Sequence, residues 1–464
     1  MTISPDHPPG RRRRRRAAVA VAATLAVAGA ALPGSPALAV NASHTTVVGT
    51  NPVDWTPHAL DGTVHRILQI GNRVYVAGTF TKVRNASQSA QLAMPRLVAL
   101  DATTGRIDTT FRPQVNGAVK ALAAAPDGRS LYIGGAFTTV NGTAASRLAR
   151  IDAATGARVA GFTTPALNNQ VNDMRLVGNR LIVGGAFQTV GGVTRRALAA
   201  VNATTGAADA SVNLNLAGPR KTTSGATAPV KVEALDVSAD GTRLVFAGNF
   251  STVAGVARHQ LAVANLSGAG ATLSGWATDR YQPQCARSMP SYLRGVDISP
   301  DGTWFAVVTT GAAFPGTLCD TAARFEFGTA TGGKQPTWAN YTGGDTLLSV
   351  AVTGAAVYVG GHQRWLDNPQ GRNSAGPGAV SRPGIGAIHP TTGKALPWNP
   401  TKDRGVGTQE LYATDRGLWV GSDTVTVAGE YHARLPSLDE EVYLFQAVAR
   451  QNPSDQRLVA FAQV

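Results

Sequence analysis

A run of apolar residues closing on two small residues and an aromatic returns throughout this chain, and it predicts an all-β fold. The clearest copies are Leu131-Tyr132-Ile133-Gly134-Gly135-Ala136-Phe137, Leu181–Phe187 and Leu244–Phe250. Weaker copies start at Val74, Phe305, Val357 and Leu418, so successive starts lie 57, 50, 63, 61, 52 and 61 residues apart. No segment beyond the first 39 residues sustains a helical period. A repeat of this length with four short strands per copy predicts a seven-bladed β-propeller with four antiparallel strands in each blade.

Residues 1–39 precede the array and read as a secretory signal peptide. Arg11–Arg16 form its charged start, Ala17–Leu32 its apolar middle, and Ala37-Leu38-Ala39 a small-residue cleavage site, with the cut expected between Ala39 and Val40. The apolar run is too short and alanine-rich for a membrane anchor, and no other stretch is long enough to span a bilayer. The expectation is therefore a protein released outside the cell. The residues that usually follow a twin-arginine pair are missing, which favours the general secretory route.

Residues 119–162 show the unit best. Val119–Ala123 alternates as a strand does. Pro126-Asp127-Gly128 makes a tight turn into Leu131–Ile133, a second strand apolar enough to be buried on both faces. Its Gly134-Gly135 end lets another backbone approach closely. A longer loop follows, then a third strand at Arg147–Asp152, a turn at Asp152–Gly156 and a short fourth strand at Arg158–Phe162. The aromatic that ends the fourth strand recurs as Phe111, Phe162, Trp276, Trp338 and Trp398, and is read as a wedge between blades.

An open array would leave unpaired edge strands. The last copy has its third strand at Arg434–Asp439 and no wedge after it. Gly49 precedes Trp55 by the six residues that separate Gly105 from Phe111 and Gly156 from Phe162. Residues 46–55 are thus expected to supply the fourth strand of the last blade, closing the propeller over residues 40–439 and leaving 440–464 as a tail outside the repeat.

The copies resemble the delta-60 repeat of secreted and surface-associated bacterial proteins. The match rests on residues 131–137, Thr139-Val140-Asn141-Gly142, Arg147–Asp152 and Thr155-Gly156, and extends over about residues 46–439. It implies a propeller in an extracellular setting. It carries over no catalytic residue. Val308-Thr309 departs from it by replacing the double glycine.

The formal net charge is +14, of which the leader accounts for +5, leaving +9 on the mature chain. The basic residues are scattered, which argues against a specific nucleic-acid partner. Cys285 and Cys319 are the only cysteines. In an oxidising compartment they are expected to form one disulfide, because both fall on the long-loop face of the fifth blade. A disulfide excludes a thioether-linked radical copper site, and two cysteines alone cannot build a tetrahedral zinc site. The eight histidines include no metal-binding pair at helical spacing, and there is no calcium loop and no Gly-x-Ser-x-Gly elbow. No metal and no cofactor are expected. Ser299–Trp304 approaches a sialidase Asp-box but is one residue short. Arg96, Arg147 and Arg434 share one repeat position and are read as packing or rim salt bridges.

The short first-to-second-strand turns share one face, and the long, varied loops share the other, where binding residues concentrate. The longest insertion there is 362–382, and its His362, Arg364, Trp365 and Asp367 are the candidate ligand-binding residues, suited to stacking and bidentate hydrogen bonds. The sequence thus points to a monomeric, non-enzymatic binding or scaffold protein for a cell-wall polymer, carbohydrate or protein. The alternative is an extracellular enzyme, carbohydrate-active or oxidoreductase, at the channel mouth. Carboxylates or histidines converging at that mouth would favour the enzyme, and an apolar or glycine-lined mouth would oppose it.

Overall fold

The computed structural model describes residues 41–422 except 88–89, 222–224, 226–227, 287, 330, 403 and 405–406, together with the backbone of 426–427, 430–431 and 456–462. Every named element in it is a β-strand, and no helix is long and apolar enough to cross a membrane among these residues. Consecutive strands pair antiparallel as meanders. The first runs Val64–Ile70, Arg73–Gly78, Leu97–Asp101, and the second Val119–Ala124, Ser130–Gly135, Leu148–Asp152. Meanders follow from Val171, Lys231, Leu293, Leu347 and Thr408.

In several sheets the fourth strand is reduced to a single bridge, as at Leu100 with Ile107, Ile151 with Arg158 and Ile388 with Ala395. Only two hydrogen-bonding residues are needed because the aromatic beyond the bridge does the packing. The turn before it forms as the sequence dictates. Asp152 accepts the N–H groups of Ala154 and Thr155 at 3.0 and 2.8 Å, and Gly156 takes a φ of +76°.

Each first strand packs against the first strand of the next unit, from Val64–Ile70 onto Val119–Ala124 and so on, and Thr408–Thr414 packs against both Leu347–Val352 and Val64–Ile70. The apolar clusters accordingly span neighbouring sheets. One unites Leu68, Tyr75 and Phe111 with Val119, Leu131 and Phe137. The wedge aromatics Phe111, Phe162, Trp276, Trp338 and Trp398 are all buried. Phe111, Phe162, Trp276 and Trp398 meet second-strand aromatics in tilted or edge-on contacts, such as Phe111 with Tyr75 at 5.3 Å and Trp398 with Tyr358 at 5.2 Å. Gly134 shows why the double glycine recurs: a Cβ there would stand 2.4 Å from Met174 and 2.8 Å from Val171 of the next sheet.

The last sheet differs from the sequence expectation. Gly417–Ser422 takes its outer partner from Gln456–Ala462, inside the stretch 440–464 assigned to a tail. The strand expected at 434–439 lies outside the described residues. In sequence, Arg457-Leu458-Val459-Ala460 repeats Arg96-Leu97-Val98-Ala99. A long insertion after Val427 breaks the period and hides the copy. On its far side Gln456–Ala462 pairs with His58–Ala59, which also pairs with Lys82–Arg84. Residues 46–55 carry no continuous strand among the described residues. Val48 N–H donates to Tyr358 Oη and Gly49 C=O accepts from Trp398 Nε1. Pro52 lies within this segment and Pro57 just beyond it, and neither can donate a ladder hydrogen bond.

Val308-Thr309 does not spoil its sheet. The Thr309 hydroxyl donates to Leu318 C=O at 2.8 Å and accepts the Thr321 N–H at 2.9 Å, and four strands form. Cys285 and Cys319 are disulfide-bonded in that unit, with Cα atoms 5.8 Å apart. The bridge closes 34 residues of chain, which corresponds to roughly 4 kcal/mol of loop entropy in the unfolded state. Urea unfolding of a Cys285→Ser/Cys319→Ser variant is expected to show a loss of about 2–4 kcal/mol; an unchanged midpoint would mean that the bridge does not constrain the unfolded chain.

Candidate functional site

Every first strand carries a β-bulge near its start. The register slips between Val64 and Arg66, Val119 and Ala121, Val171 and Asp173, Val232 and Ala234, Leu293 and Gly295, Leu347 and Ser349, and Thr408 and Glu410. The bulged residues are His65, Lys120, Asn172, Glu233, Arg294, Leu348 and Gln409. All of them line one cavity of about 190 Å³ and are half-buried. A bulge takes its residue out of the ladder and re-aims the side chain. The residue before each bulge is apolar or threonine and fully buried, so packing fixes it. The bulged residue differs in every sheet, so packing does not. Val64 pairs with Gly78, where the second strand ends and the long loop begins, which sets the bulges at the long-loop end of the cavity.

Below this ring lies an ionic network. Arg66 reaches Asp173 at 2.8 Å and Glu410 at 3.6 Å, and Arg175 reaches Asp173 at 2.7 Å and Asp236 at 2.9 Å. The carboxylates also tie four of the first strands to the next. Asp173 accepts the Leu235 N–H at 3.0 Å, Asp236 that of Ile298 at 2.8 Å, Asp297 that of Val352 at 2.5 Å, and Glu410 that of Ile67 at 3.4 Å. At the opposite end Asn41 donates to Asp297 at 2.9 Å and accepts the Ala413 N–H at 2.6 Å.

Protonation is graded along the channel. Burial pushes the Asp173 carboxyl up, but Arg175 and Arg66 outweigh it and hold the group below its usual range. Burial wins at Asp236 and, with Asp236 alongside, at Asp297, so both are raised. Glu410 is pushed up to about 7 by burial and by Asp173, against the pull of Arg66. At the ring, burial lowers the His65 imidazole to about 4, with Lys120 and Arg66 adding to the effect, so His65 is neutral at pH 7. Burial lowers Lys120 as well. Glu233 is held down by its 2.6 Å ion pair with Lys231 and by Arg294 and Lys120, despite its burial.

The four sequence candidates are not brought to one point. Arg364 stacks on Trp365, its guanidinium carbon 4.3 Å from the ring centre, and binds Asp345 at 2.8 and 3.0 Å. Arg404 joins the same carboxylate at 2.8 Å and also donates to the His362 carbonyl at 2.7 Å. Asp367 is held elsewhere, accepting from Asn340 at 2.6 Å and from the Ala395 N–H at 3.0 Å. Asn368 braces the loop by donating to the carbonyls of Thr342 and Ser374. Arg96 and Arg147 fold back onto the Thr79 and Ala136 carbonyls of their own units, and Arg434 lies outside the described residues. No three His, Cys, Asp or Glu side chains among the described residues are grouped to hold a metal ion.

The channel ring escaped sequence reading because a bulge shifts which residue faces inward. Aligning the first strands on Val64, Val119, Val171 and Val232 would have exposed it as the one position after the apolar residue that never repeats.

Residues 125–157, a single repeat, match the family described as a domain of unknown function (DUF5122) beta-propeller. No curated protein matches the chain. Among solved structures, the WD40 beta propeller domain of Doa1 is similar over 89% of this chain and 97% of its own, at 10% identity and a TM-score of 0.47.

Glu410 gives the network a pH signature. The unfolded carboxyl ionises near 4.5, while the folded one keeps its proton to about 7, so stability falls as pH rises through that window. The span corresponds to about 3 kcal/mol. Glu410→Gln is expected to match the wild type in thermal unfolding at pH 5 and to exceed it at pH 8. Equal behaviour at both pH values would show that Glu410 is not held protonated.

Proposed function

We propose that this chain is an exported, monomeric, seven-bladed β-propeller that binds a cell-wall polymer, carbohydrate or protein without catalysis, at the channel mouth on its long-loop face. The observation that carries the reading is the ring of bulged residues. Everywhere else the repeat recurs because packing demands it. At the one position where all first strands reach the channel, side-chain identity is free of packing and varies from sheet to sheet.

Closure of the blades into a ring is supported by contacts between the two ends of the array. Thr408–Thr414 packs on Val64–Ile70, and Trp55 meets Trp419 edge-on at 5.9 Å. A Cβ at Gly105 would stand 2.2 Å from the Trp55 carbonyl, just as one at Gly393 would stand 2.5 Å from the Trp338 ring. Trp55 thus takes the wedge position of a last blade whose outer partner is Gln456–Ala462. Export is supported by the Arg11–Arg16 and Ala17–Leu32 pattern and by the Cys285–Cys319 bridge. The match over one repeat supports the propeller.

Trp55→Ala is expected to cost about 1–3 kcal/mol, less than a full core penalty because Trp55 is half-buried, and to lower the midpoint of unfolding; a loss under about 0.5 kcal/mol would remove Trp55 from the closure. Binding is tested by capture on insoluble wall polysaccharide and peptidoglycan. Lys120→Ala/Gln409→Ala is expected to lose capture and Trp365→Ala to retain it. The reverse result would move the site to the 362–382 loop.

A second reading, the extracellular enzyme, carbohydrate-active or oxidoreductase, is favoured by the acids and histidine that line the cavity, Asp173, Glu233, Asp297, Glu410 and His65. Asp173 and Glu410 flank Arg66 with their protonation pushed apart, the pattern of an acid and a base sharing one site. Turnover of aryl glycosides that Glu410→Gln abolishes would establish it.

A further inference from the structure

We propose that the channel mouth is an oxyanion site, with Lys120 and Arg294, which both line its cavity, drawing in a carboxylate or phosphate group of its ligand. The proposal rests on the mouth being the binding site and adds the chemical class of what enters it. Lys120 is half-buried and makes no hydrogen bond or ion pair within 4.0 Å among the described residues. Arg294 is half-buried and donates only to the carbonyls of Ser291 and Leu293, at 3.3 and 3.2 Å. Two cations are thus partly withdrawn from water with no carboxylate in contact, a costly arrangement that an entering anion relieves.

The nearby acids supply only part of that partner: Glu233 attracts both cations and Asp320 attracts Arg294, but neither forms an ion pair with them among the described residues. Glu233 is the one carboxylate in the ring, and its ion pair is with Lys231 at 2.6 Å. Asp320 is buried and pushed up to about 7 by burial and by Asp345, and among the described residues it forms no ion pair with Arg294 within 4.0 Å. His65 is neutral and able to donate one N–H, and the Gln409 amide is unspent, so the wall offers donors around the two cations. Asn172 is already committed, donating to the Val232 carbonyl at 2.8 Å. The deeper acids are engaged with Arg66, Arg175 and backbone N–H groups. The space, about 190 Å³, suits one small anionic group rather than a folded partner.

The test is calorimetric titration of the full chain with sodium phosphate, sodium acetate and neutral N-acetylglucosamine at fixed ionic strength. Binding of phosphate alone assigns a phosphate-bearing ligand, and binding of acetate alone a carboxylate-bearing one; either result supports the site. Lys120→Met and Arg294→Met are each expected to weaken anion binding at least tenfold, while Arg129→Met, on an exposed turn, leaves it unchanged. Glu233→Gln removes the competing carboxylate and is expected to tighten it severalfold. That sign distinguishes an anion site from a cation site, and the Gln variant keeps the test open if either Met variant fails to fold. Weakening by Glu233→Gln, or indifference to Lys120 and Arg294, overturns the proposal. If N-acetylglucosamine binding responds to the mouth variants and anion binding does not, the mouth remains a site and only its anion preference falls. If no probe binds in a way the mouth variants alter, both readings fall together.

Discussion

Each meander is a small sheet with two apolar faces, and the burial of both faces against neighbouring sheets is the constraint from which the rest follows. Tyr75, Phe111, Leu131 and Phe137 come from two successive meanders yet form one cluster, so neither sheet completes its core alone. A side chain at Gly134 would strike Met174 and Val171, so the approach is close enough to select glycine. Stability in such an array is a sum of sheet-to-sheet interfaces, each worth only as much as its apolar area and its wedge aromatic provide. The ends of the array face the same demand, and the cluster that joins Trp419 with Val64, Ile67 and Val76, with Trp55 packed against it, answers it.

Crowding the first strands together creates a second problem at the centre, where apolar filling gives way to charge. The channel carboxylates accept hydrogen bonds from the N–H groups of the next first strand, which fixes the axial register of one sheet against another in a way that apolar contact cannot. Asp173, Asp236 and Asp297 do this in series, and Glu410 does it across to Ile67. Arg66 and Arg175 compensate part of the negative charge, and burial eases the rest by raising the carboxyls of Asp236, Asp297 and Glu410. A buried pair of this kind contributes little net stability, because desolvation offsets most of the attraction. Its effect is to specify alignment.

Much of the fold could be read from the chain because it depends on local, repeated chemistry. The strands of residues 119–152, the Asp152–Gly156 turn, the buried wedges and the Cys285–Cys319 bridge all follow from short patterns. What escaped detection depends on non-local register. The strand at Gln456–Ala462 carries the repeat in its own residues, yet the insertion before it removes the spacing by which copies are recognised. The channel lining depends on a one-residue slip in pairing, and no single unit reveals that slip. The 362–382 loop stood out because Trp365 breaks the repeat, but its Arg364 is engaged by Asp345 and its Asp367 by Asn340, so half of its polar chemistry serves the loop's own shape.

The two levels of the channel differ in what binds their charges, and this separates architecture from recognition. In the lower level every carboxylate has an arginine, a backbone N–H or a proton to satisfy it, and changing one disturbs a neighbouring sheet. In the ring above, Lys120 and Arg294 hold no sheet in place and have no carboxylate in contact. The bulge accounts for this freedom: its residue leaves the ladder, so neither pairing nor packing dictates the side chain. The ring can therefore change its ligand chemistry without altering the interfaces that hold the sheets together, and its present residues place positive charge at the opening above a lower level that is already balanced.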